Sequence, residues 1–162
     1  MDIEGEIVKY TVRFAHLAET PLKVGDRLDF STRVGTMGNS GSEKTGIHLH
    51  IDCTEGENAF RYNLAAIMKG KPRPNKKQLD FFIDHDLFHF RPVITSGYLE
   101  TAYRDTFGKD HPAYDVVPED RHKTRGHYGI YWNRSRVGTV IRLDHGDPGY
   151  GTCVYVCFET EV

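Results

Sequence analysis

Two short motifs hold the histidines of this 162-residue sequence that are best placed to do chemistry. His48 and His50 are separated by one leucine, and alternate side chains of a β-strand point to the same face. His111 and Asp115 are four residues apart, and Pro112 disfavours helical backbone at His111, so this pair also shares one face of an extended segment. Taken alone, each motif is more often a set of ordinary exposed side chains.

Together, the two motifs offer the donor set of a zinc site. Two histidines and one aspartate supply three protein ligands and leave the fourth tetrahedral position for water. Zinc suits a set of nitrogen and oxygen donors without thiolate. One histidine of the two motifs would remain to act on the water or the substrate. Asp115 could alternatively orient a histidine through a hydrogen bond instead of binding the metal.

The other histidines are weaker candidates. His85 and His89 could offer two ligands one turn apart on a helix, but we expect them at a solvated helix end. His122, His127 and His145 lie in polar segments that are typical of surface loops.

The three cysteines, Cys53, Cys153 and Cys157, are an odd number and cannot all pair within one chain. Cys153 and Cys157 would share one face of a strand. We expect buried, reduced thiols. If the cysteines gathered in the fold, a structural metal site or one disulfide beside a free thiol would be the alternatives.

The elements that must position these motifs are predicted to be mostly β-strands. Residues 6–16 alternate with a period near two, which puts Thr11 on one face of a strand and Phe14 and His16 on the other. Further strands are predicted over residues 33–38, 47–52, 92–97, 114–117, 137–143 and 153–158. A dense turn is predicted at 144–149.

One helix interrupts this pattern. Asn75 is a suitable N-cap, and apolar residues recur at helical spacing from Leu79 to Leu87, which predicts a helix over 76–87. The sequence thus predicts a mostly-β domain with one peripheral helical insert.

Composition excludes several classes of protein. Hydrophobic residues make up 38% of the chain, enough for a core, and the net charge of −2 gives no basic footprint for nucleic acid. The longest apolar runs are too short to cross a bilayer, so we expect no transmembrane segment. The first residues, MDIEGEIVKY, lack the basic start and apolar stretch of a secretory signal, so we expect no signal peptide.

The first half of the sequence resembles the lysostaphin/LytM-type zinc endopeptidases of bacterial peptidoglycan. In that family a Tyr-x-His-Leu element is followed by a Val-Gly-Asp turn, a glycine-rich hairpin and a Gly-Pro-His-Leu-His strand, and Ile47 stands here for the usual proline. The matching stretches are Phe14-Ala15-His16-Leu17, Val24-Gly25-Asp26, Val34-Gly35-Thr36-Met37-Gly38-Asn39-Ser40-Gly41 and Thr45-Gly46-Ile47-His48-Leu49-His50-Ile51.

The second half resembles the remaining part of the same fold, in the wrong order. The family's His-x-x-x-Asp pair, here His111 and Asp115, normally precedes the other elements, whereas here it follows them. Residues 94–98, 137–140 and 149–151 resemble the strands and turns around that pair. A circular permutation explains this order, and it predicts a hairpin between residues 152–162 and 6–16. Half-sites paired between two chains, or a fragment whose halves never meet, are the alternatives.

The resemblance implies a single domain over residues 1–162, an antiparallel β-sheet or sandwich of the LytM type in permuted order. Residues 1–53 carry the His-Leu and His-Leu-His elements, residues 54–92 form the helical connecting insert, and residues 93–162 carry the His-x-x-x-Asp element.

The resemblance also implies the role of each site residue. His111, Asp115 and His50 would bind one Zn²⁺ ion, while His48 and His16 would be catalytic. The substrate would be a peptide cross-link of peptidoglycan, and the context would be bacterial cell-wall lysis, by analogy as a phage lysin or a virion-associated protein.

Two questions stay open at this level. The aromatic residues around His111 either line a substrate groove or pack the segment that carries them; these are Tyr98, Tyr103, Phe107, Tyr128, Tyr131 and Trp132. The alternative function is a catalytically inactive β-domain that binds the cell wall or serves as a structural module.

Overall fold

Nine antiparallel strands form one sheet in the computed structural model, which describes residues 6–40, 47–57, 75–99, 113–119, 128–147 and 150–161. This confirms the mostly-β prediction. The strands are β1 (Ile7–Glu19), β2 (Arg27–Leu28), β3 (Arg33–Met37), β4 (Leu49–Glu55), β5 (Pro92–Ser96), β6 (Tyr114–Pro118), β7 (Gly129–Tyr131), β8 (Gly138–Asp147) and β9 (Gly151–Glu161).

Strand β1 is the centre of this sheet. The strand order is β2-β8-β9-β1-β4-β6-β5, and β3 pairs with both β1 and β7 away from that path. Because β1 is hydrogen-bonded to β9 on one edge and β4 on the other, its register fixes the positions of both neighbours.

The hairpin predicted between residues 152–162 and 6–16 is present as the β1–β9 pair. Ile7 pairs with Glu161 and Phe14 with Val154. The two halves of the sequence also meet at a second place, where β4 pairs with β6 and His50 lies opposite Asp115. The halves therefore come together within one chain, and this pairing does not require a second copy.

The two faces of β1 have different chemistry. Val12 and Phe14 belong to the main hydrophobic core, together with Leu49 and Ile51 of β4. The opposite face carries polar side chains that are also buried: Thr11, Arg13, Asp52 and Thr54. Burial of polar groups requires partners, so this second face depends on specific side-chain contacts.

Two aromatic residues of the second half are core residues. Trp132 is fully buried, 5.4 Å from the ring of Phe82 and 5.7 Å from that of Phe158. Tyr128 is also buried. Of the two alternatives left open by the sequence, packing therefore holds for these two residues. Tyr103 and Phe107 lie outside the described residues.

The predicted helix over 76–87 is only partly correct. Helix α1 spans Lys76–Asp80, and the side chain of Asn75 caps it by accepting a hydrogen bond from the backbone N–H of Gln78 at 2.9 Å. A separate 3₁₀ turn, His85–Leu87, begins after Asp84, whose own side chain caps it.

Hydrogen bonds from side chains compete with the helical backbone bonds, and this explains why the helix ends early. The Asn133 side chain donates to the backbone carbonyl of Phe82 and to Asp84, and Asp84 accepts from the N–H of Asp86 at 2.9 Å. These bonds replace helical ones, while Leu79 and Leu87 are still buried as predicted.

The ends of β4 and β8, and the backbone around His85 and His89, differ from prediction. β4 continues to Glu55, and β8 continues to Asp147 through most of the turn expected at 144–149. His85 lies in the 3₁₀ turn and His89 has a φ of 60°, so these two do not share a helix face. The expected solvated helix end is therefore a 3₁₀ turn.

The cysteines and His145 fit their predicted states in part. All three cysteines are free thiols, but only Cys53 and Cys153 are buried, and Cys157 is half-buried. His145 is exposed as expected, although it lies on β8 and not in a loop. Burial raises the pKa of the Cys53 thiol, which keeps it protonated. His122 and His127 lie outside the described residues.

Within the described ranges, no helix has the length and apolar character needed to cross a membrane.

Gly38 provides a test of this packing, because its backbone touches the end of β1. A Cβ atom at position 38 would lie 2.4 Å from the backbone N of Ala18. We expect Gly38→Ala to lower the free energy of unfolding by about 1–3 kcal/mol through this overlap. The measurement is urea denaturation, with Lys23→Ala at an exposed turn position as the control. Equal midpoints for Gly38→Ala and wild type would contradict the close approach.

Candidate active site

Three strands bring the predicted site residues together at one end of the sheet. His50 lies on β4 and faces Asp115 on β6 directly across the pair. His48 lies just before β4, where it forms a single bridge with Gly38. His16 lies near the end of β1. His111, the remaining predicted site residue, lies outside the described residues.

The side chains of this cluster surround one carboxylate. Nδ1 of His50 lies 3.3 Å from Oδ1 of Asp115, and Nε2 of His48 lies 3.7 Å from the same oxygen. The His16 ring centre is 5.0 Å from that of His48 and 5.8 Å from that of His50. These four side chains are therefore one cluster, as predicted.

A β-bulge places His16 in the cluster. Between the pairs Phe14–Val154 and Leu17–Thr152, β1 advances three residues while β9 advances two. The extra residue turns His16 away from the core face that it would share with Phe14 in regular alternation. The prediction that His16 and Phe14 share a face is therefore wrong, because a bulge reverses the side of every later residue.

The backbone and the ring of His16 are both held. His16 adopts a φ of 62°, and its N–H donates to the carbonyl of Tyr150 at 2.8 Å. Its Nδ1 lies 2.7 Å from the backbone carbonyl of Ser40. A carbonyl only accepts, so Nδ1 carries the hydrogen and Nε2 carries the lone pair.

The protonation state of His16 follows from its surroundings. Burial lowers the pKa of His16 below the ordinary value, and the positive charge that His50 and His48 can carry lowers it further, against the raising effect of the bond to Ser40. His16 is therefore neutral at neutral pH and presents a basic Nε2.

Two carboxylates flank His50. On the side opposite Asp115, Nε2 of His50 lies 3.4 Å from Oδ2 of Asp52. Burial disfavours the charged ring, but Asp115 and Asp52 outweigh that effect and raise the pKa of His50 above its ordinary value. The two carboxylates therefore favour positive charge at this ring, and Arg13 opposes part of that effect.

Arg13 compensates the charge of Asp52. Its guanidinium donates from Nε to Oδ1 of Asp52 at 2.9 Å and makes a second contact with Oδ2. Burial alone would raise the pKa of Asp52, but Arg13 and His50 hold it well below its usual range. The Tyr150 ring lies over the guanidinium at 4.0 Å and within 5.1 Å of the His50 ring centre.

One pair of donor atoms, from His50 and Asp115, has the separation expected of two zinc ligands. A tetrahedral zinc ion with bonds of about 2.0–2.1 Å holds its ligand atoms roughly 3.3–3.4 Å apart. The 3.3 Å between Nδ1 of His50 and Oδ1 of Asp115 matches that separation. Among the described residues, no group of three histidine, cysteine or acidic side chains is arranged to hold a metal ion. The third ligand predicted from the sequence is His111.

Three residues of the site were not predicted: Arg13, Asp52 and Tyr150. Asp52 continues the alternation of His48 and His50, so the sequence contained a signal that places it on the same face. Arg13 and Tyr150 carry no comparable signal, because their positions depend on how β1 pairs with β4 and β9.

Comparisons of the chain with models of protein families, with curated proteins and with solved structures find no match. Function must therefore be inferred from the side chains.

Ser40 provides a test of how the site is held. Its hydroxyl donates to the carbonyl of Leu17 at 2.7 Å and accepts from the N–H of Thr152 at 3.0 Å, which joins β1 to β9 beside His16. We expect Ser40→Ala to lower the free energy of unfolding by about 1–3 kcal/mol because two partly buried groups lose their partner. Thermal unfolding checks this against Ser135→Ala, an exposed serine. A change no larger than that of the control would contradict the role of the hydroxyl.

Proposed function

We propose that the protein is a zinc endopeptidase that hydrolyses the peptide cross-links of bacterial peptidoglycan. The observation that carries this proposal is the meeting of His50 and Asp115 across β4 and β6, with His16 and His48 around them. The resemblance to LytM-type endopeptidases requires these side chains to be neighbours although they come from opposite ends of the sequence.

The strand pairing supports a circularly permuted LytM-type fold. In that family the His-x-x-x-Asp element comes first, and the strand that matches β9 is followed directly by the strand that matches β1. Here β9 lies far after β1 in the sequence, yet it pairs with β1 from Ile7–Glu161 to Leu17–Thr152. Elements that the permutation separates in sequence are therefore adjacent in space, as that explanation requires.

Zinc would be held by His50 and Asp115, with His111 as the third ligand. Such an ion supplies a Lewis acid that polarises the scissile carbonyl and lowers the pKa of water to about 7. Asp115 adds negative charge within 3.7 Å of both His48 and His50, which favours a cation at this position.

The neutral His16 ring suits the role of general base. Its Nδ1–H is held by Ser40, so Nε2 is free of that bond and can take a proton from the attacking water. The oxygen of that water bonds to the carbonyl carbon, the amide C–N bond breaks, and the leaving nitrogen gains a proton.

His48 is the second imidazole of the site that is not assigned to the metal. Its ring centre lies 5.0 Å from that of His16, so both rings can reach one peptide group. We assign to His48 the stabilisation of the negative charge that develops on the carbonyl oxygen, and the delivery of a proton to the leaving amine.

Zinc content separates this function from an inactive β-domain. We expect one equivalent of zinc in wild type, its loss in Asp115→Ala and His50→Ala, and its retention in His48→Ala, because only the first two remove a ligand. Elemental analysis after dialysis gives the stoichiometry, and the control is His145→Ala, an exposed histidine. A folded wild-type protein without metal would favour the inactive domain. Loss of zinc in His48→Ala with retention in His50→Ala would exchange their roles.

Hydrolysis of purified peptidoglycan tests the catalytic assignment. Removal of a general acid or base costs about 10²–10⁴-fold in rate, so we expect His16→Ala and His48→Ala to lose activity to that extent while keeping zinc. New amino groups should be counted on peptidoglycans with D-Ala–diaminopimelate and with Gly–Gly cross-links, again with His145→Ala as the control. A zinc-loaded wild-type protein that cleaves neither would contradict the proposed function.

A further inference from the structure

The buried pair formed by Arg13 and Asp52 has no part in the proposed hydrolysis. Both side chains are only 9% exposed and lie on the same face of the sheet as the histidine cluster. A buried ion pair adds little net stability compared with apolar side chains of similar volume. Its position next to His50 therefore asks for an explanation beyond stability.

The two ring nitrogens of His50 face two different carboxylates. Nδ1 points to Asp115 and Nε2 points to Asp52, at 3.3 and 3.4 Å. A histidine binds a metal through one nitrogen, and a hydrogen bond from the other N–H fixes both the tautomer and the orientation of the ring. Asp52 is placed where such an acceptor is needed if Nδ1 is the ligand atom.

We infer that Asp52 is a positioning residue for the metal centre: it accepts the Nε2–H of His50 and so directs Nδ1 to the ion beside Asp115. This inference rests on the zinc site of the proposed function. Arg13 acts one step further out, because its two contacts fix the plane of the Asp52 carboxylate and compensate its charge. The Tyr150 ring covers the guanidinium from the side of the site.

A second Arg–Asp pair on the same sheet offers a matched control. Nε of Arg142 donates to Oδ1 of Asp144 at 2.9 Å, and Asp144 also accepts the hydroxyl of Tyr155 at 3.0 Å. Both side chains are largely buried, at 20% and 16% exposed, and both lie on β8. Asp144→Asn therefore removes the charge of a similar pair without touching His50.

The test is zinc affinity measured by competition with a chelator. We expect Asp52→Asn to weaken zinc binding about 10–100-fold, as mutation of the residue that orients a metal-binding histidine typically does, because the neutral amide oxygen is a weaker acceptor than the carboxylate. We expect Asp144→Asn to leave zinc binding unchanged. Asp52→Glu keeps the charge and should recover part of the affinity. Thermal unfolding of each metal-free protein shows whether the fold is intact.

A spectroscopic measurement isolates the positioning role. In the zinc-loaded wild type, long-range ¹H–¹⁵N NMR spectra should show His50 bound through Nδ1 and protonated at Nε2. Binding through Nε2 would overturn the inference. If Asp52→Asn does not fold because Arg13 is left uncompensated, Arg13→Gln/Asp52→Asn removes both charges together and should show the same loss of affinity.

The outcomes separate this inference from the proposed function. Wild-type affinity in Asp52→Asn or in the double variant would overturn the positioning role alone. A wild-type protein that binds zinc but cleaves no peptidoglycan would overturn the function, while weaker binding in Asp52→Asn would still support the positioning role. A wild-type protein that takes up no zinc would overturn both.

Discussion

The register of β1 against β4 is the constraint on which the site depends. Arg13 lies opposite Asp52 and Ala15 opposite His50 in this register, and one residue of slip would turn the polar side chains of β4 into the core. The same strand β4 then pairs with β6, which puts His50 opposite Asp115. One set of backbone pairings thus assembles side chains from both ends of the sequence, and the core on the other face keeps that register fixed.

Burial of polar groups on the second face gives the site its rigidity. Ionised side chains that are removed from water require partners, and loss of one partner of a buried pair typically costs about 3–5 kcal/mol. Arg13 is hydrogen-bonded to Asp52, and ion-pair contacts of 3.4 and 3.3 Å continue from Asp52 through His50 to Asp115. Rotation of the His50 ring would break contacts at both of its nitrogens. A carboxylate beside each ring nitrogen restricts the orientation of the ring, which is the property that a metal ligand or a catalytic group needs.

Local sequence patterns predicted the longer strands, because alternation is a local property, but they missed the short strands β2 and β7. His48 and His50 were expected on one face, and they are. The hairpin of β9 with β1 came from the family resemblance and not from periodicity. The end of helix α1 was not predictable in the same way, since Asn133, from a distant part of the sequence, bonds to the carbonyl of Phe82. The partnership of Arg13 with Asp52 is likewise visible only once β1 and β4 are paired.

The bulge in β1 moves His16 from the position that regular alternation predicts to the histidine cluster. Regular alternation would bury His16 beside Phe14, where an imidazole would have to lose its hydration without the partners that it has here. The bulge requires His16 to adopt a φ of 62°, a conformation that costs a non-glycine residue roughly 1–3 kcal/mol. Glycine would adopt it at no steric cost, so backbone geometry alone does not favour a histidine. The contacts at this position are a backbone bond to Tyr150, an Nδ1–H bond to Ser40, and two neighbouring imidazoles. Since a glycine could make only the first of these, the side chain at position 16 is best explained by what its ring does next to His48 and His50.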